Sequence, residues 1–144
     1  MITEFKGEYN FLSNFTYFDK PFNFKGITYK TNEHFYIAMK TKDLGKRLEV
    51  SLHPSKGLKK FGRTLELRDD WEDIKLKVMY YGLKYKFSKH NPRLRSKLRG
   101  TGNKMIQEGN YWNDKYWGVC LKTGEGDNHL GKLLMKVREN INDN

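Results

Sequence analysis

Residues 29–40, YKTNEHFYIAMK, place a carboxylate, Glu33, in the opening turn of a short helical pattern and a cation, Lys40, seven positions later. Seven residues is close to two turns, so Glu33, Ile37 and Lys40 share one face. An acid and a base on one face could flank a ligand and move its protons. A first-turn glutamate is also stabilised by the helix dipole, by ~0.3–1 kcal/mol, and on this segment alone that is a sufficient reason for it. In residues 111–120, YWNDKYWGVC, Asp114 stands three positions before Trp117. An indole there can stack on a base while the acid meets a sugar hydroxyl or water; it equally describes a core tryptophan at the start of a strand. In residues 58–73, LKKFGRTLELRDDWED, Lys59 and Arg63 are four apart on one helical face. That spacing suits a phosphate clamp or a solvated basic pair. Trp71, at a helix start, reads as a core anchor.

Other chemistry-bearing residues point nowhere sharp. Arg93, Arg95, Lys97 and Arg99 alternate, which spreads charge around a helix as on a solvated surface. The four histidines and Cys120 form no metal-ligand spacing. His34, beside Glu33, is the one histidine next to a candidate acid. The Gly-rich stretch 123–131, TGEGDNHLG, lacks the spacing of a P-loop, although a turn and a helix start there could face an anion.

The elements that must position these residues are of both kinds. Residues 22–30 read as a hairpin turning at Lys25-Gly26, followed by a helix capped by Thr31 or Asn32. Residues 54–64 read as a short helix broken by glycines. Residues 69–89 carry the strongest helical period: Asp69 or Asp70 at the cap, one stripe of Trp71, Ile74, Val78, Tyr81 and Tyr85, and a second through Leu83 and Phe87. Two stripes imply a helix covered on more than one side. Residues 91–101 have Asn at a cap, Pro at the first helical position and Gly100 beyond the end. Residues 103–109 and 115–122 read as strands, and 127–140 as a final helix with Leu130, Leu133, Leu134 and Val137 inward. Helices and strands mix without regular alternation, so the class is α+β: one compact domain over 1–144, several helices around a small, mainly antiparallel sheet.

Composition fits. The chain has 144 residues, 15% of them aromatic, enough to bury a core. Its formal charge of +11 favours anionic partners: phosphates, nucleotides or nucleic acid. One cysteine precludes an internal disulfide and suits a reducing compartment. No segment nears the ~20 apolar residues of a membrane span and no signal-peptide pattern opens the chain, so a cytoplasmic setting is expected.

The order of the segments is more specific than any one of them. YNFLSNF (9–15), NEHFYIAMK (32–40), LKKFGR (58–63), RDDWEDIKLKVM (68–79), KF (86–87), TG (101–102), NDKYWG (113–118) and NHLGKLLM (128–135) together resemble the YbiA-like, or NADAR, family of N-glycosidases over nearly the whole chain. Leu58 and Phe61 depart from the family's usual Ala and Leu, apolar exchanges that bear on pocket shape, and the segment between Lys40 and Lys59 looks short.

The resemblance implies hydrolysis of a C1′–N bond without a cofactor or metal. The implied substrates are phosphorylated ribosylamino-pyrimidines of early riboflavin synthesis; the alternatives are removal of ADP-ribose from guanine in DNA or RNA, or a non-catalytic module binding ADP-ribose or NAD-type ligands. By motif position it assigns the acid to Glu33, with Asp114 orienting ribose hydroxyls or sharing the acid–base work. Lys59 is either a phosphate ligand or a Schiff-base nucleophile. Trp117 or Trp71 is expected to stack on the leaving base, Arg63 to hold phosphate with Lys59, Lys40 to flank the substrate, and Asn14 to hydrogen-bond the ribose or base.

Overall fold

The computed structural model describes residues 1–142, and a hairpin that runs directly into a helix organises it. Strands β1 (Tyr17–Phe24) and β2 (Ile27–Thr31) pair antiparallel, Phe22 opposite Tyr29. The turn uses positive φ at both Lys25 (50°) and Gly26 (87°), the primed geometry that matches strand twist. Thr31 ends β2 and caps α1 (Asn32–Ala38), its hydroxyl accepting the His34 N–H at 3.1 Å. All seven residues of α1 are buried. Before β1, a 3₁₀ helix (Gly7–Leu12) leads to Asn14, whose carbonyl accepts the Glu33 N–H at 3.0 Å. The first turn of α1 is thus fixed from two sides.

Helices α2 (Leu44–Leu52), α3 (Leu58–Gly62), α4 (Trp71–Lys86), α5 (Pro92–Gly100) and α6 (His129–Asn142) follow. The α4 helix packs against α1 and α6, with Met79, Leu83 and the following Phe87 in one hydrophobic core. Of its two stripes, Leu83 and Phe87 are fully buried, while Tyr81 is 48% exposed. Lys86 is fully buried; its Nζ donates to the Ser13 carbonyl at 2.7 Å, and burial pulls its pKa down to about 7. That bond ties the 9–15 segment to α4. The α+β class stands as expected, and no described helix is long and apolar enough to cross a membrane.

Several local expectations are corrected. The strands expected over 103–109 and 115–122 shrink to β3 (Gly109–Asn110) and β4 (Val119–Cys120), which pair parallel. Further pairing is diverted: the Glu108 N–H, just before β3, goes to Asn128 Oδ1, and the Cys120 N–H within β4 goes to the Glu125 carbonyl. Asp70 occupies the cap position of α4 without capping, because Arg68 holds its carboxylate at 2.6 Å. Asn91 likewise precedes α5 but spends its side chain on the Lys20 N–H and the Tyr85 carbonyl. Gly100 is the last residue of α5, not the residue beyond it. The α2 helix had no expected counterpart: Leu44, Leu48 and Leu52 face solvent, which blurs its helical pattern.

Candidate active site

Three separate segments meet at one cleft. The α1 helix contributes Glu33 and Tyr36, and the turn after it Lys40; α3 and the residue after it contribute Lys59 and Arg63; the loops around β3 and β4 contribute Glu108, Asp114 and Trp117. Asn14, beside the Glu33 N–H, completes the wall. The cleft has two lobes, of about 200 and 240 Å³, that share Asn14, Glu33, Lys59, Glu108 and Leu130. One lobe is cationic, with Lys40 and Arg63 beside Asp114, Tyr36 and Trp117. The other is aromatic, with Phe15, Tyr111 and Trp112. Together they have the size of a small-molecule site, ~300–1,000 Å³.

Burial and charge tune the groups at the junction. Glu33 is 7% exposed. Desolvation pushes its carboxyl above the ordinary carboxylate range; Lys59 and Lys40 pull it back and Asp114 adds to the rise. Glu108 is raised to about 7, first by burial, with a hydrogen bond from Asn110 (3.1 Å) opposing and the Asp114 and Glu33 charges reinforcing. Burial lowers the Lys40 ammonium, against the pull of Glu33. Burial and then Glu33 raise the Tyr36 phenol. Two carboxyls raised together, one of them to near neutrality, can divide the roles of proton donor and acceptor.

Asp114 is set by its own loop. Its Oδ1 accepts the N–H groups of Tyr116 (3.1 Å) and Trp117 (3.0 Å), and Asn110 spans its backbone with bonds to its N–H and carbonyl, both 3.0 Å. Oδ2 accepts no hydrogen bond among the described residues. Gly118 follows because a Cβ there would overlap both the Oε2 and the carbonyl of Glu108; the Trp-Gly pair is what lets Glu108 sit against β4.

The structure brings Glu33, Asp114, Lys59, Asn14, Trp117, Arg63 and Lys40 to the cleft. Trp71 lies outside it: only 4% exposed, it packs against Tyr36 at 5.1 Å between ring centroids, so the expected base-stacking place gives way to support of a lining residue. His34 is also elsewhere, its ring held between the Thr31 hydroxyl (2.6 Å) and the His53 carbonyl (2.8 Å). The start of α6 is closed to an anion, since the His129 and Leu130 N–H groups donate to the carbonyls of Tyr116 and Trp117. Arg93 pairs with Asp19, and Arg95 and Arg99 bond backbone carbonyls. Sequence reasoning missed Glu108, Tyr36 and Trp112. Trp112 stood in a stretch already singled out; Glu108 carries no spacing signal and is placed by loop packing alone.

A second cavity, about 700 Å³, has no carboxylate in its lining, in contrast to the cleft. Carboxylates facing cations beside aromatic walls are the equipment of an acid–base enzyme for an anionic, ring-bearing substrate. The family model of the NADAR domain matches residues 3–142, and the chain belongs to that family. It is 36% identical over 137 residues to N-glycosidase YbiA of Escherichia coli (strain K12), covering 93% of this chain and 82% of that protein. It is 34% identical over 129 residues to the riboflavin biosynthesis protein PYRR, chloroplastic, of Zea mays, covering 80% of this chain but only 20% of the maize protein. The NMR structure of E. coli YbiA superposes with a TM-score of 0.83 at 34% identity, over 99% of this chain and 86% of that one.

Proposed function

We propose that the chain is an N-glycosidase that hydrolyses the C1′–N bond of a phosphorylated ribosylamino-pyrimidine. The observation that carries this reading is the junction of the two lobes, where Glu33 and Glu108 stand between an aromatic and a cationic half-site. The base lies in the aromatic lobe against Trp112 and Phe15. The ribose phosphate lies in the cationic lobe, phosphate on Lys40 and Arg63, hydroxyls on Asp114 and Asn14, with Trp117 and Tyr36 as walls. The scissile bond then crosses the junction. The names of the relatives support the class of reaction, and the +11 charge suits an anionic substrate.

As C1′–N lengthens, positive charge develops at C1′ and the ring oxygen. Ionised Glu33 stabilises that charge and accepts a proton from the attacking water. Protonated Glu108 delivers its proton to the departing nitrogen. Water's oxygen bonds to C1′, the C1′–N pair leaves on nitrogen, and the products are the free amine and the ribose phosphate. Two carboxyls at the junction favour water as the nucleophile over an imine on Lys59, whose Nζ stands over the Phe15 and Trp112 rings at 5.7 and 5.9 Å. The same residues would cleave ADP-ribose from guanine, because the broken bond is of the same kind.

The test is the pH dependence of kcat/KM. A donor must be protonated, so activity falls as pH rises through about 7, the Glu108 value. A base must be ionised, so activity also falls toward acid, beginning above the ordinary carboxylate range because burial raises Glu33. Glu108→Gln is expected to remove the alkaline fall and keep the acid one. An alkaline limb that survives Glu108→Gln would take the donor role from this residue.

A further inference from the structure

The 700 Å³ cavity lies on the far side of α1 from the cleft: Phe35 of α1 and Met39 just after it line the cavity, while Glu33, Tyr36 and Lys40 line the cleft. Its floor is aromatic. Phe24, Phe35 and Tyr81 stand with ring centroids 5.3–6.0 Å apart, and the Tyr81 ring is half exposed. Its rim is cationic, with Lys25, Lys42, Arg47, Arg68 and Lys77 and no acid among them.

Arg47 is the telling residue. It is only 8% exposed, its Nε is fixed on the Thr41 carbonyl at 2.8 Å, and it forms no ion pair among the described residues. Arg47 lines the cavity, where an anionic ligand would supply the counterion that a largely buried guanidinium favours. Lys77 on the same rim forms no ion pair among the described residues, whereas Arg68 is held by Asp70, whose charge Lys42 also feels.

We propose that this cavity is a second binding site, distinct from the catalytic cleft, for a free nucleotide: the base on the Phe24–Phe35–Tyr81 floor and the phosphates on Arg47, Lys42 and Lys77. Such a ligand uses both halves of the lining; a nucleoside would leave the cations unmatched, and inorganic phosphate would leave the aromatic floor uncovered. The volume suits one base and a short phosphate chain. The inference is independent of the reaction assigned to the cleft.

Backbone-amide NMR titration with adenosine 5′-diphosphate tests it. Expected are shifts at Phe35, Met39, Lys42, Arg47, Lys77 and Tyr81, affinity that weakens with salt, and weaker binding of adenosine and of inorganic phosphate. Tyr81→Ala and Lys42→Glu/Lys77→Glu change exposed or rim side chains outside the cleft; each is expected to weaken binding about tenfold or more, with Glu33→Gln leaving it intact. The proposal is overturned if these amides do not shift at millimolar nucleotide, if shifts appear only around Glu33, if adenosine binds as tightly as the diphosphate, if the rim and floor variants bind normally, or if a single-stranded oligonucleotide binds there and the free nucleotide does not.

Discussion

Glu33→Gln is expected to lower kcat by ~10²–10⁴-fold, the usual worth of a positioned acid or base, while the protein stays folded. The two halves of this expectation have different origins. Activity falls because glutamine keeps the shape of the side chain but can neither oppose the charge at C1′ nor take a proton from water. Stability holds because the carboxyl is already burdened by desolvation, and a neutral isostere lifts that burden. What fixes the start of α1, the Glu33 N–H on the Asn14 carbonyl and the Thr31 cap, is untouched. Steady-state kinetics beside a thermal melt check both. A variant within a few-fold of wild type, equally stable, would remove Glu33 from the chemistry; one that unfolds would show that its role is in the fold.

Gly118→Ala is expected to cost ~10²-fold in kcat/KM from a position that bears no functional group. The added Cβ would overlap the Glu108 carboxylate and carbonyl and crowd Asn110 Nδ2 at 2.9 Å. The backbone and side chain of Glu108 cannot both yield without moving the donor. Displacement of a reacting group by about 1 Å is worth that much in rate. Gly100→Ala is the control, since nothing lies within 4 Å of its Cβ and its φ is ordinary. Its activity should match wild type. Equal activity in the two variants would mean that Glu108 does not need its place.

Those two residues also mark what the sequence made legible. Glu33 and Lys40 could be read because helical spacing puts them on one face, and α1 with the turn that follows it brings both to the cleft. Lys59 and Arg63 follow from the same rule on α3. Asp114 and Trp117 were legible through the family order, and their loop explains the spacing: Asp114 Oδ1 reaches forward to the Trp117 N–H. Glu108 was not legible, because no periodicity governs a loop held by Asn110 and Asn128 side chains. For the same reason the two late strands are shorter than their apolar alternation suggests, since that alternation cannot reveal that an Asn128 side chain and the Glu125 carbonyl take backbone donors there. Trp71 was given a binding place because its motif travels with the others, and the fold spends it behind Tyr36.

The claim at the centre is that this cleft breaks a bond between C1′ of a ribose and a base nitrogen. Its most direct test is to incubate the purified protein with a ribosylamino-pyrimidine phosphate and, separately, with an oligonucleotide carrying ADP-ribosylated guanine, and to follow the products by mass spectrometry. The expected result is free pyrimidine amine and ribose phosphate from the first substrate, produced by wild type and not by Glu33→Gln. Release of ADP-ribose from the second alone would keep the bond and change the substrate. Both substrates recovered intact after exposure to the folded wild-type protein would contradict the account.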